Sequence, residues 1–313
     1  MEAINVTVTE FVLLGFYELP SLQLVFFFLF LVIYVATLVG NLLTTGLFCF
    51  DYHFHSPMYI LLCNMSVLDM SFTTMVLPKL LNICLTGNNV ISYSGCMAQL
   101  FFFVVLIVSE YFILATMAYD RYVAICHPLR YSSFMSLKVC FWMLFTSWNI
   151  GVLEGILYVI LISFCTFCGS NEVDHLFCDL KPLIKLSCSD TRAIERTILG
   201  LGTIIGFVPS VLTLVSYIYI ISTILKIHSK EGRHKTFSTC SSHLTVILLF
   251  YGTVLGMYMR PKSSYSMDQD KVLAVLYAGV IPMLNPIIYS LKNEEVKKAL
   301  CKINHIYFKI RLC

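Results

Sequence analysis

The segment "MAYDRYVAICHPLRY", Met117 to Tyr131, ends a long apolar run on two adjacent residues of opposite charge. The run before it, about 96–119, carries one acid, Glu110, and is long enough to cross a hydrocarbon layer of ~30 Å at ~1.5 Å per residue. Asp120 and Arg121 therefore stand where such a helix would leave a membrane. A charge pair at that place could anchor the helix at the interface, form a catalytic dyad or act as a switch.

Six further segments have the same apolar character. The chain is 58% hydrophobic and only 12% charged over 313 residues, too little polarity to cover a soluble surface. We therefore predict an all-α membrane protein, a single seven-transmembrane helix bundle filling residues 1–313. The predicted spans are about 21–49, 57–84, 96–122, 139–164, 194–227, 236–260 and 270–291.

The distribution of basic residues predicts the orientation of the bundle. Most of the 21 Lys and Arg residues fall on the side that holds 121–138, 226–235 and the C-terminus. By the positive-inside rule, the tail 1–20 is extracellular and the tail 292–313 is cytoplasmic. The sequon at Asn5 then predicts glycosylation. After span seven, "NEEVKKALCKI" predicts a short amphipathic helix on the inner leaflet.

The predicted extracellular loop 165–193 is long and rich in cysteine. An extracellular setting permits disulfides, but its four cysteines and Cys96, at the start of span three, allow several pairings. His175 and Cys178 have the H-x-x-C spacing of metal ligands, which would require reduced cysteines. The loop cysteines are Cys165, Cys168, Cys178 and Cys188.

Two acids lie deep in predicted spans, where ionisable residues usually have a function. Asp69 lies near the middle of span two, and Glu110 lies ~21 Å below Cys96, so packed spans would bring the acids to a similar depth. Such a pair would share a proton or a cation such as sodium. The alternative is that each is protonated and hydrogen-bonded to a polar neighbour, from Asn41, Ser71 or Asn285.

Six motifs occur in a fixed order along nearly the whole chain. Together with "GN" at Gly40–Asn41, they resemble the rhodopsin-like G-protein-coupled receptors and, within these, the olfactory receptors. The loop string "HLFCDLKPLIKLSCSDT" resembles the tetrapod-type, class II set. The motifs are "LLGF" (13–16), "PMYILLCNMSVLD" (57–69), "MAYDRYVAICHPLRY" (117–131), "SYIYIISTIL" (216–225), "KTFSTCSSHL" (235–244) and "PMLNPIIYSLKN" (282–293).

The resemblance implies specific bonds, partners and a location. It implies the disulfides Cys96–Cys178 and Cys168–Cys188, with Cys165 free. It implies an odorant ligand, coupling to the stimulatory olfactory G protein and adenylyl cyclase, and residence in the plasma membrane, in the sensory cilia of olfactory neurons. We expect no enzymatic activity, no nucleic-acid partner and no cofactor besides a bound sodium ion.

The predicted ligand site lies in the outer half of the bundle, between spans three, five, six and seven. Amine receptors carry an Asp where this chain has Phe103, and the predicted lining holds no charged group, which favours a small, mostly apolar, neutral volatile. Glu154, the lone acid of span four, has no role that the sequence identifies. The predicted lining is Phe103, Val104, Ile107, Val108, Leu201, Ile205, Tyr251, Val254, Leu255, Tyr258, Val275 and Ala278.

The output side is predicted at the cytoplasmic end. Arg121 lies 25 residues, or ~37 Å, past Cys96, a full membrane crossing. We expect it to pair with Asp120 in the inactive state and to turn toward the G protein in the active one. The candidate switch and coupling residues are Asp120, Arg121, Tyr122, Tyr217, Lys235, Ser238, Thr239, Asn285, Pro286 and Tyr289.

Two other functions compete with this interpretation. Midplane acids and broken helices also mark ion-coupled transporters, which usually show internal repeats that this chain lacks. A receptor of the same fold could read a metabolite outside the nose. An enzyme is disfavoured because no nucleophile and base face a common cavity.

Overall fold

The computed structural model describes residues 8–16, 20–50, 56–258 and 267–292. Seven of its helices are long and apolar enough to cross a membrane, which confirms the predicted fold class. The last crossing is composite, with a π-helical segment, Leu276–Val280, between two α-helices. The helices are α1 (Gln23–Phe50), α2 (Pro57–Thr86), α3 (Tyr93–Cys126), α4 (Tyr131–Phe134), α5 (Leu137–Ser163), α6 (Leu180–Leu186), α7 (Arg192–Leu225), α8 (Lys230–Tyr258), α9 (Met267–Val275) and α10 (Ile281–Lys292).

A small sheet closes one end of the bundle. Strand β1 (Glu10–Leu13) pairs antiparallel with β2 (Val90–Ser92) and parallel with β3 (Glu172–Val173). Phe11 and Leu13 are fully buried, because alternate residues of β1 point into the bundle. Part of the predicted extracellular tail 1–20 therefore forms a strand of this sheet. The end of the bundle that carries the sheet is called the sheet end below.

Helix α3 forms the centre of the bundle. It begins at the sheet end, where the Ser92 hydroxyl caps it by accepting from the Gly95 N–H at 3.1 Å. In the most apolar stretch of α3, 83% of the residues are buried inside the bundle. The corresponding shares for α1 and α7 are 17% and 11%. The exposed apolar side chains of these outer helices suit contact with lipid. Residues on α3 can therefore reach most of the other helices, and both candidate sites lie along it.

Two disulfides fix the loop at the sheet end. Cys96 of α3 bonds to Cys178, and Cys168 bonds to Cys188. Cys165 is a free, buried thiol. The Cys178 sulfur is thus oxidised and cannot join His175 in binding a metal. No group of three or more potential His, Cys, Asp or Glu ligands occurs within the described residues.

Two predictions concern parts of the chain outside the described residues. Asn5 precedes residue 8, and most of the tail 292–313 follows Lys292. The glycosylation and the amphipathic helix therefore stay predictions.

Candidate functional site

An aromatic cluster lies beneath the loop at the sheet end. The Phe103 ring of α3 lies 5.0 Å from that of Phe177 in the loop, 6.1 Å from that of Phe72 in α2 and 6.4 Å from that of Tyr277 in the π-helical segment. Phe103 is 1% exposed, and the three other α3 residues of the predicted lining are also buried. The three other α3 residues are Val104, Ile107 and Val108. The junction of loop, α2, α3 and the seventh crossing around Phe103 is called the Phe103 cluster.

The remaining predicted lining residues fall into four groups. Val254 and Ala278 are buried, and four are partly buried: Leu201, Ile205, Tyr251 and Val275. Leu255 is 48% exposed and is not brought into the cluster, because each residue turns a helix by ~100° away from its predecessor. The side chain of Tyr258 lies outside the described residues.

The two deep acids hydrogen-bond to different partners. Asn285 Nδ2 donates to Asp69 Oδ1 at 2.8 Å, and the Tyr277 hydroxyl donates to Glu110 Oε2 at 3.0 Å. The carboxyl groups are close enough to interact electrostatically. Both bonds reach the seventh crossing, so α2 and α3 are each tied to it. Sequence reasoning considered Asn285 as a partner but missed Tyr277, which no motif marks.

Several buried oxygens near Asp69 have no hydrogen-bond partner among the described residues. They belong to Asn41 Oδ1, Asp69 Oδ2, Asn285 Oδ1 and the Tyr289 hydroxyl. The amide nitrogen of Asn41, in contrast, has hydrogen-bond partners: Nδ2 donates to the Thr37 and Pro282 carbonyls at 3.0 and 3.1 Å. Unsatisfied buried oxygens are costly and suit hard cations or ordered water. These oxygens are of the type that binds sodium, and the predicted sodium site stays a prediction.

The Asp120–Arg121 pair lies at the other end of α3, about 26 Å along the helix from Phe103. Arg121 Nη2 and Nε donate to Asp120 Oδ2 at 2.6 and 3.1 Å. The Tyr131 hydroxyl donates to the other carboxylate oxygen, Oδ1, at 2.7 Å. Asp120 is fully buried, so both of its oxygens are held from opposite sides. Tyr131 closes the quoted segment but was not among the predicted switch residues.

Three other candidate switch residues have defined positions. The Tyr217 hydroxyl lies 2.8 Å from His243 Nδ1, which joins α7 to α8. The Tyr122 hydroxyl lies 3.0 Å from His127 Nε2. Pro286 packs against α1, where a Cβ added to Gly40 would lie 3.0 Å from its Cγ. The side chains of Lys235, Ser238 and Thr239 lie outside the described residues.

Comparison with known proteins gives consistent results. A family model described as "Olfactory receptor" matches residues 30–306. The chain is 48% identical to "Olfactory receptor 5AP2" of Mus musculus, over 96% of this chain and 95% of that protein. It is 48% identical to "Olfactory receptor 8D4" of Homo sapiens, over 95% of each. Squid rhodopsin has a similar fold, with a TM-score of 0.70 at 17% identity over 90% of this chain and 80% of that one.

Proposed function

The chain belongs to the olfactory receptor family, and from that premise we propose the specific task that its site performs. As a member it is a multi-pass G-protein-coupled receptor and not an enzyme. The proposal is that it binds a small, mostly apolar, neutral volatile near the Phe103 cluster. Binding activates a stimulatory olfactory-type G protein and raises cAMP.

The observation that carries the proposal is the composition of the Phe103 cluster. The cluster contains four aromatic rings. Those of Phe72, Phe103 and Tyr277 lie beneath the loop, and that of Phe177 belongs to the loop. The polar groups that contact it are few, chiefly the hydroxyl of Tyr277 and the imidazole of His175, whose ring lies 4.7 Å from that of Phe177. Apolar, aromatic walls with a small number of polar groups are typical of sites for small organic molecules.

A ligand acts here by favouring one of two arrangements of the bundle. Tyr277 contacts Phe103 with its ring and Glu110 with its hydroxyl, so a ligand that moves the cluster also strains a polar bond between α3 and the seventh crossing. The Asp69–Asn285 bond offers a second tie that can loosen. At the far end, activation frees Arg121 from Asp120 so that the guanidinium can meet the G protein.

Orientation and location complete the proposal. The sheet end faces outside, with Asn5 glycosylated, and the Asp120 end faces the cytoplasm. The receptor resides in the plasma membrane of olfactory sensory cilia. A sodium ion held by Asp69, with Asn41 and Asn285, would supply a positive charge that favours the inactive arrangement, with Glu110 nearby.

The test is a cAMP-reporter screen of a chemically diverse odorant panel in cells that express the chain. Phe103→Val should raise the half-maximal concentration of active odorants at least tenfold, because it removes ring contacts from the cluster. Phe102→Val is the matched control, since Phe102 is 53% exposed on the outer face of the same helix. Equal responses of both variants and the wild type, at equal surface expression, would place the pocket elsewhere.

A further inference from the structure

Glu154 is a buried acid in the middle of α5. It is 5% exposed and belongs to a stripe of buried residues along one side of the helix. A carboxyl group inside a membrane span is costly unless it has partners or a function. The stripe consists of Cys140, Leu144, Ser147, Gly151, Glu154, Gly155, Tyr158 and Ile162.

The partners of Glu154 within the described residues do not satisfy it. Its Oε2 atom is buried and has no hydrogen-bond partner there. Tyr158, one turn further on, interacts with the carboxyl group. The Tyr158 hydroxyl also donates to the Ile198 carbonyl of α7 at 3.4 Å. Whatever bond Tyr158 makes to the other carboxyl oxygen, Glu154 Oε2 keeps no protein partner within the described residues.

Close packing of α5 on α3 sets the depth of this oxygen. A Cβ added to Gly151 would lie 2.6 Å from the Val105 carbonyl, and one added to Gly155 would lie 2.9 Å from Val105 Cγ2. Glu154 lies between these glycines, so it is level with the turn of α3 around Val105. Val104, Ile107 and Val108 of the predicted lining belong to that same part of α3.

The neighbouring helix, α7, is less buried in its first half than in its second. No described residue from Arg192 to Val208 is fully buried, whereas six residues between Pro209 and Ile224 are. Gly202, beside Leu201 of the predicted lining, offers no side chain toward Tyr158, whose hydroxyl would lie 3.6 Å from an added Cβ. Glu154 and Tyr158 therefore lie beside the less buried half of α7.

We propose that Glu154 is the polar recognition group of the odorant pocket and that the preferred ligands are small apolar alcohols or phenols. This inference rests on the proposed function and specifies its ligand class. The hydroxyl of such a ligand gives up its bond to water on entering an apolar site, and donation to the free Glu154 oxygen restores it. An ether of the same skeleton has no hydrogen to donate and leaves the carboxyl unsatisfied.

The test uses matched pairs of odorants, each an alcohol and its methyl ether, in cAMP dose–response measurements. The wild type should respond to the alcohols at concentrations roughly tenfold or more below those for the ethers, as expected when a buried polar group discriminates by one hydrogen bond. Glu154→Leu should abolish that preference by weakening the alcohols alone. Glu172→Gln, which alters an exposed acid in β3, should leave it unchanged.

The outcomes separate this inference from the proposed function. Equal sensitivity of the wild type to alcohols and ethers, or an equal loss of both in Glu154→Leu, would overturn the role of Glu154 while leaving an odorant receptor. Glu154→Met, with a more flexible apolar side chain, replaces the Leu variant if that variant fails to reach the surface. Absence of any cAMP response despite surface expression would overturn the proposed function itself.

Discussion

At the scale of single residues, the buried carboxylate of Asp120 is held in place by two neighbouring side chains. Its carboxylate is bound by Arg121 on one oxygen and by Tyr131 on the other. Burial, together with the hydrogen bond to Asp120, raises the pKa of Tyr131, so its hydroxyl keeps the proton that it donates. The neighbouring segment therefore helps to hold the carboxylate that binds Arg121.

Tyr131→Phe should raise the basal cAMP level. The variant removes one hydrogen bond to a carboxylate, worth about 1.5 kcal/mol, which would shift a two-state equilibrium by roughly tenfold toward the form with Arg121 released. Basal reporter activity at matched surface expression measures this. Tyr219→Phe, in an exposed tyrosine of α7, is the control, and equal basal activity of the two variants would contradict the role of Tyr131.

His175 makes the loop at the sheet end sensitive to pH. Burial lowers its pKa, and the nearby charges of Asp179 and Asp270 oppose that effect while Lys271 reinforces it. The unfolded loop therefore binds a proton more readily than the folded one, so stability is full above about pH 6.5 and falls as the pH decreases below it. Hydrogen exchange of 165–191, expressed relative to the intrinsic exchange rate at each pH, should accelerate between pH 7 and pH 5.

The control for this pH effect is His175→Asn. Its amide can still donate to the Phe177 carbonyl, which lies 3.1 Å from His175 Nδ1, but it does not titrate. The variant should lose most of the acid-induced acceleration. Acceleration as large as in the wild type would assign the effect to another group.

At the scale of elements, two glycines allow α5 to lie directly on α3. The segment "GVLEG" places Gly151 and Gly155 four residues apart on one face, the small-xxx-small arrangement that brings membrane helices together. The Cβ of a larger residue at Gly151 would meet a backbone carbonyl, which cannot move aside as a side chain would. The depth of Glu154 depends on this contact.

Gly151→Ala should destabilise the receptor by about 1–3 kcal/mol, because it overpacks the interface between the two helices. Thermal unfolding of the detergent-solubilised protein measures the loss. Gly46→Ala is the matched control, since a Cβ there would meet nothing within 4 Å. A Gly151→Ala variant as stable as Gly46→Ala would show that the helices lie further apart.

An ion pair joins the loop to the seventh crossing at the sheet end. Lys271 Nζ lies 2.6 Å from Asp174 Oδ1, and the Lys271 side chain is 6% exposed. Asp174→Ala should therefore destabilise the receptor by roughly 1–3 kcal/mol, between the values for exposed and buried pairs. Thermal unfolding of the purified protein measures it.

The same loop supplies the control for that prediction. Asp190 pairs with Arg192 at 2.8 Å, but both side chains are largely exposed. Asp190→Ala should leave the unfolding temperature unchanged, because water screens this pair. Similar losses in the two variants would mean that burial does not distinguish the two ion pairs.

At the scale of the whole molecule, the seven crossings could be predicted because long uncharged runs have few other stable structures. The sheet could not, since its strands have two to four residues and join segments far apart in the chain. The hydrogen-bond partners of the buried polar groups could not be predicted from the sequence either. Only the packed bundle shows that Tyr277 reaches Glu110, that Tyr131 reaches Asp120 and that Glu154 keeps a free oxygen.

The central claim is that odorant binding at the sheet end is transmitted to Arg121 and thence to a G protein. The most direct test compares odorant-induced cAMP in the wild type, Arg121→Ala and Lys138→Ala, at equal surface expression. Lys138 is exposed at the same end of the bundle and serves as the control. We predict a dose-dependent response that Arg121→Ala abolishes and Lys138→Ala preserves. A full response from Arg121→Ala would contradict the account.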